Sequence, residues 1–167
     1  MSDVFSTDPP AIDASRRFTP DLAAWSREQA RLLRARSAQE IDWEGAATAL
    51  DVIGDGLKQE IGCHLSALLA LLLRWEILPD GRSLSWQSRI GIHRTFLRDC
   101  LEASPSLHGF AREILPGRYC NVARAGAYDP ALAGQSLPPA CPYKLQQILA
   151  DDFMPGAPWL PEDLIRD

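Results

Sequence analysis

The stretch Asp42–Ile77, DWEGAATALDVIGDGLKQEIGCHLSALLALLLRWEI, decides the fold of this chain. Ala46, Leu50, Ile53, Leu57, Ile61, Leu65, Leu68, Leu69 and Leu72 recur at spacings of three and four, which lines one face of an α-helix. Asp42 precedes the pattern as an N-cap. Gly54 and Gly56 interrupt it, and each costs about 1 kcal/mol relative to alanine in a helix interior. The sequence therefore predicts a kink or a break there, leaving open whether one bent helix or two fill the stretch. The run Leu71-Leu72-Leu73-Arg74-Trp75 closes it, and a tight Pro79-Asp80-Gly81 turn leads on to Ser85-Trp86.

Toward the N-terminus, Thr19-Pro20-Asp21 combines a capping hydroxyl, a first-turn proline and an acid at the positive end of the helix dipole. Leu22, Trp25, Gln29, Leu32 and Leu33 share a face behind it, so a first helix runs to about Arg36. Toward the C-terminus, Ser85 is expected to cap a helix with Trp86, Ile90, His93, Leu97, Cys100 and Leu101 on one side, ending near Ala103. Ser104-Pro105 restarts the chain, Leu107, Phe110, Ile114 and Leu115 are the next apolar positions, and Pro116-Gly117 is expected to end that helix. Tyr119, Val122, Ala123 and Ala127 predict another helix, and a short last one from about Pro142 to Ala150 buries Leu145, Ile148 and Leu149. Tyr143 and Leu145 read as anchors into the core, and the tail is expected to pack through Phe153 and Trp159. Alternating β-branched residues nowhere persist long enough for a strand.

The fold class is therefore all-α, a single irregular bundle of about five to seven helices around a long central helix or kinked helix pair. Residues 1–17 read as a flexible tail, 18–153 as the helical domain and 154–167 as a proline-rich tail. The length of 167 residues suits one domain, with 46% hydrophobic and 23% charged residues in an ordinary globular mixture. A net charge of -5 with dispersed Lys and Arg argues against a nucleic-acid partner, since backbone binding relies on clustered cations. The N-terminus lacks the basic start and apolar run of a signal peptide. The strongest apolar run, Leu65 to Leu73, falls short of the ~20 residues a bilayer span needs. Cys63, Cys100, Cys120 and Cys141 form no CxxC pair and read as reduced, mostly buried thiols of a cytosolic protein.

By this point the residues carry a resemblance. Asp42-Trp43, Leu72-Leu73-Arg74-Trp75, Ser85-Trp86, Ser104-Pro105-Ser106-Leu107 and Cys141-Pro142-Tyr143 with Gln147-Ile148-Leu149 resemble the bacterial family called domain of unknown function 29, over about Asp21 to Pro155. The resemblance implies an all-α, soluble bacterial protein and supplies no activity. It also implies departures: two adjacent acids of the family pattern fall where this chain has Thr48 and Ala49, and a histidine falls at Leu71. If those acids and that histidine serve a metal or catalytic site in relatives, this chain has lost it.

Chemistry-bearing groups are sparse. Cys63-His64 and the His93/Cys100 pair are the metal candidates, but neighbours on a helix face different ways, and residues seven apart sit about 10 Å apart along the axis. They read as a buried thiol and a hydrogen-bonded histidine; no metal or cofactor is expected. No cysteine is brought near a base by sequence. Arg74, Trp75, Arg82, Trp86, Arg89, His93 and Arg94 are the one local concentration of aromatic and basic groups, and Arg82, Arg89 and His93 offer a surface for a carboxylate, a phosphate or an acidic segment. The bland reading has the tryptophans lock two helices across the turn while the arginines cap carbonyls or lie in water. Leu137-Pro138-Pro139-Ala140-Cys141-Pro142-Tyr143 reads as a rigid connector or, in preformed polyproline geometry, a docking element. The preferred expectation is a non-enzymatic helical protein-binding or regulatory module whose partner is protein, itself or another, with five tryptophans favouring an exposed aromatic patch. A small anionic-ligand module and an enzyme whose site is assembled from separate helices are the alternatives.

Overall fold

The computed structural model describes residues 22–126, 132, 135 and 137–164. The tail expected over 1–17 and the helix start at Thr19-Pro20-Asp21 lie outside the described residues. Among the described residues the chain forms five α-helices, α1 Leu22–Ala35, α2 Trp43–Ile77, α3 Leu84–Ala103, α4 Leu107–Gly126 and α5 Leu145–Leu149, with no strand. Short 3-10 turns occupy Pro79–Gly81 and Pro161–Asp163. None of the helices is long and apolar enough to cross a membrane. Two compact units divide between Gly54 and Asp55.

In the first unit, α1 ends where Arg36 takes φ 55°, the left-handed region that costs a non-glycine residue roughly 1 kcal/mol. That bend closes the helix with Arg36 N–H donating to Leu33 O at 3.2 Å and Ser37 N–H to Leu32 O at 3.1 Å. Asp42 caps α2 as its sequence position predicts: its Oδ1 accepts from Gly45 N–H at 2.9 Å, and its own N–H donates to Gln29 Oε1 at 3.0 Å. Gly45 is required by packing, because a Cβ there would lie 2.9 Å from the Trp25 ring.

The second unit is built around the later turns of α2. Leu68, Leu69, Leu71, Leu72, Leu73 and Trp75 are all buried. Six buried positions in eight residues cover most of the helix's circumference, far more than a single apolar stripe; Ala70 and Arg74 are the half-buried pair. Leu71 belongs to this core. Ile90, Leu97 and Leu101 of α3, Ala111, Leu115 and Tyr119 of α4, and Leu145 and Ile148 of α5 close around it, with Tyr143 and Leu164. α5 packs on both α3 and α4.

α2 is one helix through Gly54 and Gly56, which answers the question the two glycines left open. Two expectations are corrected. Ser83, not Ser85, caps α3: its Oγ accepts from Trp86 N–H at 3.3 Å, and Trp86 is the third residue of the helix that starts at Leu84. Pro116 does not end a helix. It lies exposed inside α4, whose buried Ala111 and Leu115 before it and Tyr119 after it are held by the same core, so packing outweighs the lost N–H.

Candidate functional site

Of the seven residues singled out around the α2–α3 turn, two arginines are turned inward. Arg82 is 3% exposed; its Nε donates to Trp75 O and its Nη1 to Ala157 O, both at 2.9 Å, and its guanidinium carbon stands 5.2 Å from the centre of the Trp75 ring. Arg94 is 2% exposed and gathers the chain after α5: Nε donates to Ile148 O at 2.8 Å, Nη1 to Asp151 O at 3.1 Å, and Nη2 to Phe153 O. Burial pushes the Arg94 pKa down from its ordinary value. Each guanidinium satisfies carbonyls that no helix ladder supplies, and a charge-assisted hydrogen bond of this kind is worth about 1.5–3 kcal/mol. Of the three arginines Arg82, Arg89 and Arg94, only Arg89 is exposed.

Trp75 is fully buried and meets Trp159 edge-on, with ring centres 5.2 Å apart. Its Nε1 and Arg82 Nη2 are buried without an acceptor among the described residues. The loop that carries Trp159 approaches α2 at Gly156, whose φ is 89° and where a Cβ would fall 3.0 Å from the Glu76 Cα. Trp86 is half-buried against the core and lies over Gly81, where a Cβ would be 3.3 Å from its ring.

His93 has a partner that the sequence did not reveal. Its Nδ1 lies 3.1 Å from His64 Nδ1, and His64 stacks on Phe96 at 3.7 Å between ring centres. Burial, with His64 and Arg89 nearby, lowers the His93 pKa below the ordinary imidazole value of 6.5. The signal was present in the turn: an antiparallel helix pair brings together residues equally far from its bend. His64 lies as many positions before Trp75 as His93 lies after Arg82.

No group of three or more His, Cys, Asp or Glu among the described residues is placed to hold a metal ion. The thiols are less buried than expected: Cys63 and Cys120 are exposed and Cys100 and Cys141 half-buried. Cys63 points outward because the helical period that buries Ile61 and Leu65 turns it away. Burial raises the pKa of Cys141, and burial with Glu60 and Asp99 raises that of Cys100, opposite to what an activated nucleophile needs. The proline-rich connector is anchored: Tyr119 Oη donates to Pro138 O at 2.9 Å, and the buried Tyr143 donates to the Glu76 carboxylate. Arg74 lines a cavity formed with α4.

The exposed aromatic and aliphatic surface lies elsewhere. Trp43, Leu50 and Ile53, seven and three residues apart on α2, are 60%, 68% and 61% exposed. Leu50 and Ile53 were expected to face the core by their period, and their exposure corrects that. They continue the helical period of Ile61 and Leu65 but are exposed; the buried apolar side chains of the first unit, among the described residues, are Leu32 and Ile41.

No curated protein and no solved structure matches this chain. A family described as domain of unknown function DUF29 matches residues 18–154, which is most of the sequence. By that match, and with the all-helical fold it accompanies, the chain belongs to the DUF29 family.

Proposed function

We propose that the protein is a non-enzymatic, helical protein-binding module of the bacterial cytoplasm, and that its docking element is the face of α2 bearing Trp43, Leu50 and Ile53. The observation that carries this is an exposed, apolar helical face in a unit whose buried apolar side chains, among the described residues, are Leu32 and Ile41. Covering that face would add buried apolar area to a small core.

The occupant we favour is a second copy of the chain, on grounds of charge. α1 and the residue after it carry Arg27, Arg31, Arg34 and Arg36 against Glu28 alone. Residues 37–54 carry Glu40, Asp42, Glu44 and Asp51 and no Lys or Arg. A two-fold arrangement lays the basic helix of one copy along the acidic flank of the other, and the apolar stripes meet between them.

Sedimentation equilibrium tests this. The expected result is a two-chain species for the natural sequence and a single chain of unchanged helicity for the Leu50→Glu, Ile53→Glu double variant, whose positions are exposed and tolerate the change. A single chain for the natural sequence at high micromolar concentration sinks the proposal.

A further inference from the structure

In the second unit, His64 of α2 and His93 of α3 bring two imidazoles from different helices into contact. Their Nδ1 atoms are 3.1 Å apart, with ring centres 4.9 Å apart and planes at 76°. Buried neighbours hold both in place: Leu65 and Leu68 flank His64 along α2, and Ile90 and Leu97 flank His93 along α3. Stacking on Phe96 fixes the His64 ring further. Each of the two pairs that the sequence offers as metal candidates contributes one histidine, so the ligand that each lacks on its own helix stands on the facing one.

We infer that this pair is a binding site for one divalent transition metal ion of the Zn²⁺ and Cu²⁺ class, held by the two Nδ1 atoms with water in the remaining positions. The spacing carries the assignment. Two Zn–N bonds of about 2.0–2.1 Å at a tetrahedral angle set their nitrogens about 3.3 Å apart, close to the separation already present. Imidazole suits Zn²⁺, Cu²⁺ and Ni²⁺, whereas Ca²⁺ and Mg²⁺ need a shell of oxygens. No change of charge is required of the rings. The hydrogen bond between the Nδ1 atoms takes one proton, and the ring that carries it becomes a ligand by holding it on Nε2 instead. Neither Nε2 is a buried atom without a partner, so that tautomer is open to both rings. Arg89, one turn before His93, already acts on that imidazole as a positive charge and opposes a cation beside it. Two protein ligands and a neighbouring arginine make an open, exchangeable site, unlike the closed four-ligand sites that hold a fold together.

Titration calorimetry of the full chain with Zn²⁺, after a chelator has stripped it of metal, tests this. It is repeated on His64→Gln, His93→Gln and Arg89→Gln once circular dichroism has established that each is folded. The expected result is one Zn²⁺ per chain, bound at least about tenfold more weakly after either histidine substitution. Arg89→Gln should bind it roughly twofold to fivefold more tightly, the screened effect of removing one positive charge. With Co²⁺ as a spectroscopic stand-in, the bands should be those of nitrogen and oxygen ligands without thiolate charge transfer, which separates the pair from the exposed Cys63 and Cys120. Absence of saturable Zn²⁺ uptake at high micromolar concentration overturns the inference. So does uptake that either histidine substitution leaves unweakened, or a Co²⁺ spectrum with thiolate bands that persist in both histidine variants. Should those variants fail to fold, Arg89→Gln decides the matter, since unchanged or weaker Zn²⁺ binding there also overturns it.

Discussion

Two stretches of the same helix carry the same apolar period and have opposite environments. From Ile61 to Trp75 the leucines, Ile61 and Trp75 of α2 are buried at the centre of the second unit; from Trp43 to Ile53 its large apolar side chains stand in the open. A period of three and four identifies which residues share a face. It does not say whether anything covers that face, because coverage is a property of the neighbours. Where α3, α4 and α5 converge the stripe becomes core; at Leu50 and Ile53 it is surface.

The largest test of this contrast is truncation at matched positions. Leu72 is fully buried and Leu50 is 68% exposed, so Leu72→Ala should destabilise the fold by about 2–5 kcal/mol, the usual cost of a buried cavity. Leu50→Ala measured at high dilution should stay within about 0.5 kcal/mol. Denaturant unfolding of both variants checks the difference, and equal losses would dissolve the distinction.

A smaller effect is expected at Arg94. Arg94→Met keeps the side chain's length and removes the donors to Ile148 O, Asp151 O and Phe153 O. It should cost about 1–3 kcal/mol, the penalty for buried carbonyls left unpaired. If the residue instead received an anionic partner, the variant would keep its stability and lose binding.

Smaller still is the pH dependence set by His93. Its folded pKa lies below 6.5, so above that pH both folded and unfolded chains hold it neutral and the contribution is complete. As pH falls below 6.5 the unfolded chain takes up the proton first, while burial, His64 and Arg89 resist it in the fold, so stability declines. His93→Gln should flatten that decline without altering stability above neutrality, as read from urea midpoints across pH. A variant that tracks the natural chain would remove the pair from the account.

Much of the architecture was legible. The Asp42 cap, the end of α1 near Arg36, the end of α3 at Ala103 and the anchoring of Tyr143 and Leu145 each follow from local chemistry that the fold does not override. The misplaced features share a cause. Ser83 and Ser85 are equally good caps in isolation, and the choice is made by which hydroxyl meets the Trp86 N–H. Pro116 breaks isolated helices, and the core held on either side of it keeps α4 whole. The candidate site was legible as a cluster but not as roles. Sequence placed Arg82 and Arg94 beside the turn, but only the returning chain at 148–157 supplies the carbonyls they hold. His64 and His93 were visible singly, and their meeting depends on helix register.

Amide hydrogen exchange at two protein concentrations tests the central contrast most directly, since it reads both ends of α2 in one experiment. The account predicts that amides of residues 43–54 exchange fast at high dilution and gain protection as concentration rises, while those of 61–75 stay strongly protected at both. Protection over 43–54 that does not change with concentration would contradict it, because the exposed face would then have no second copy to cover it.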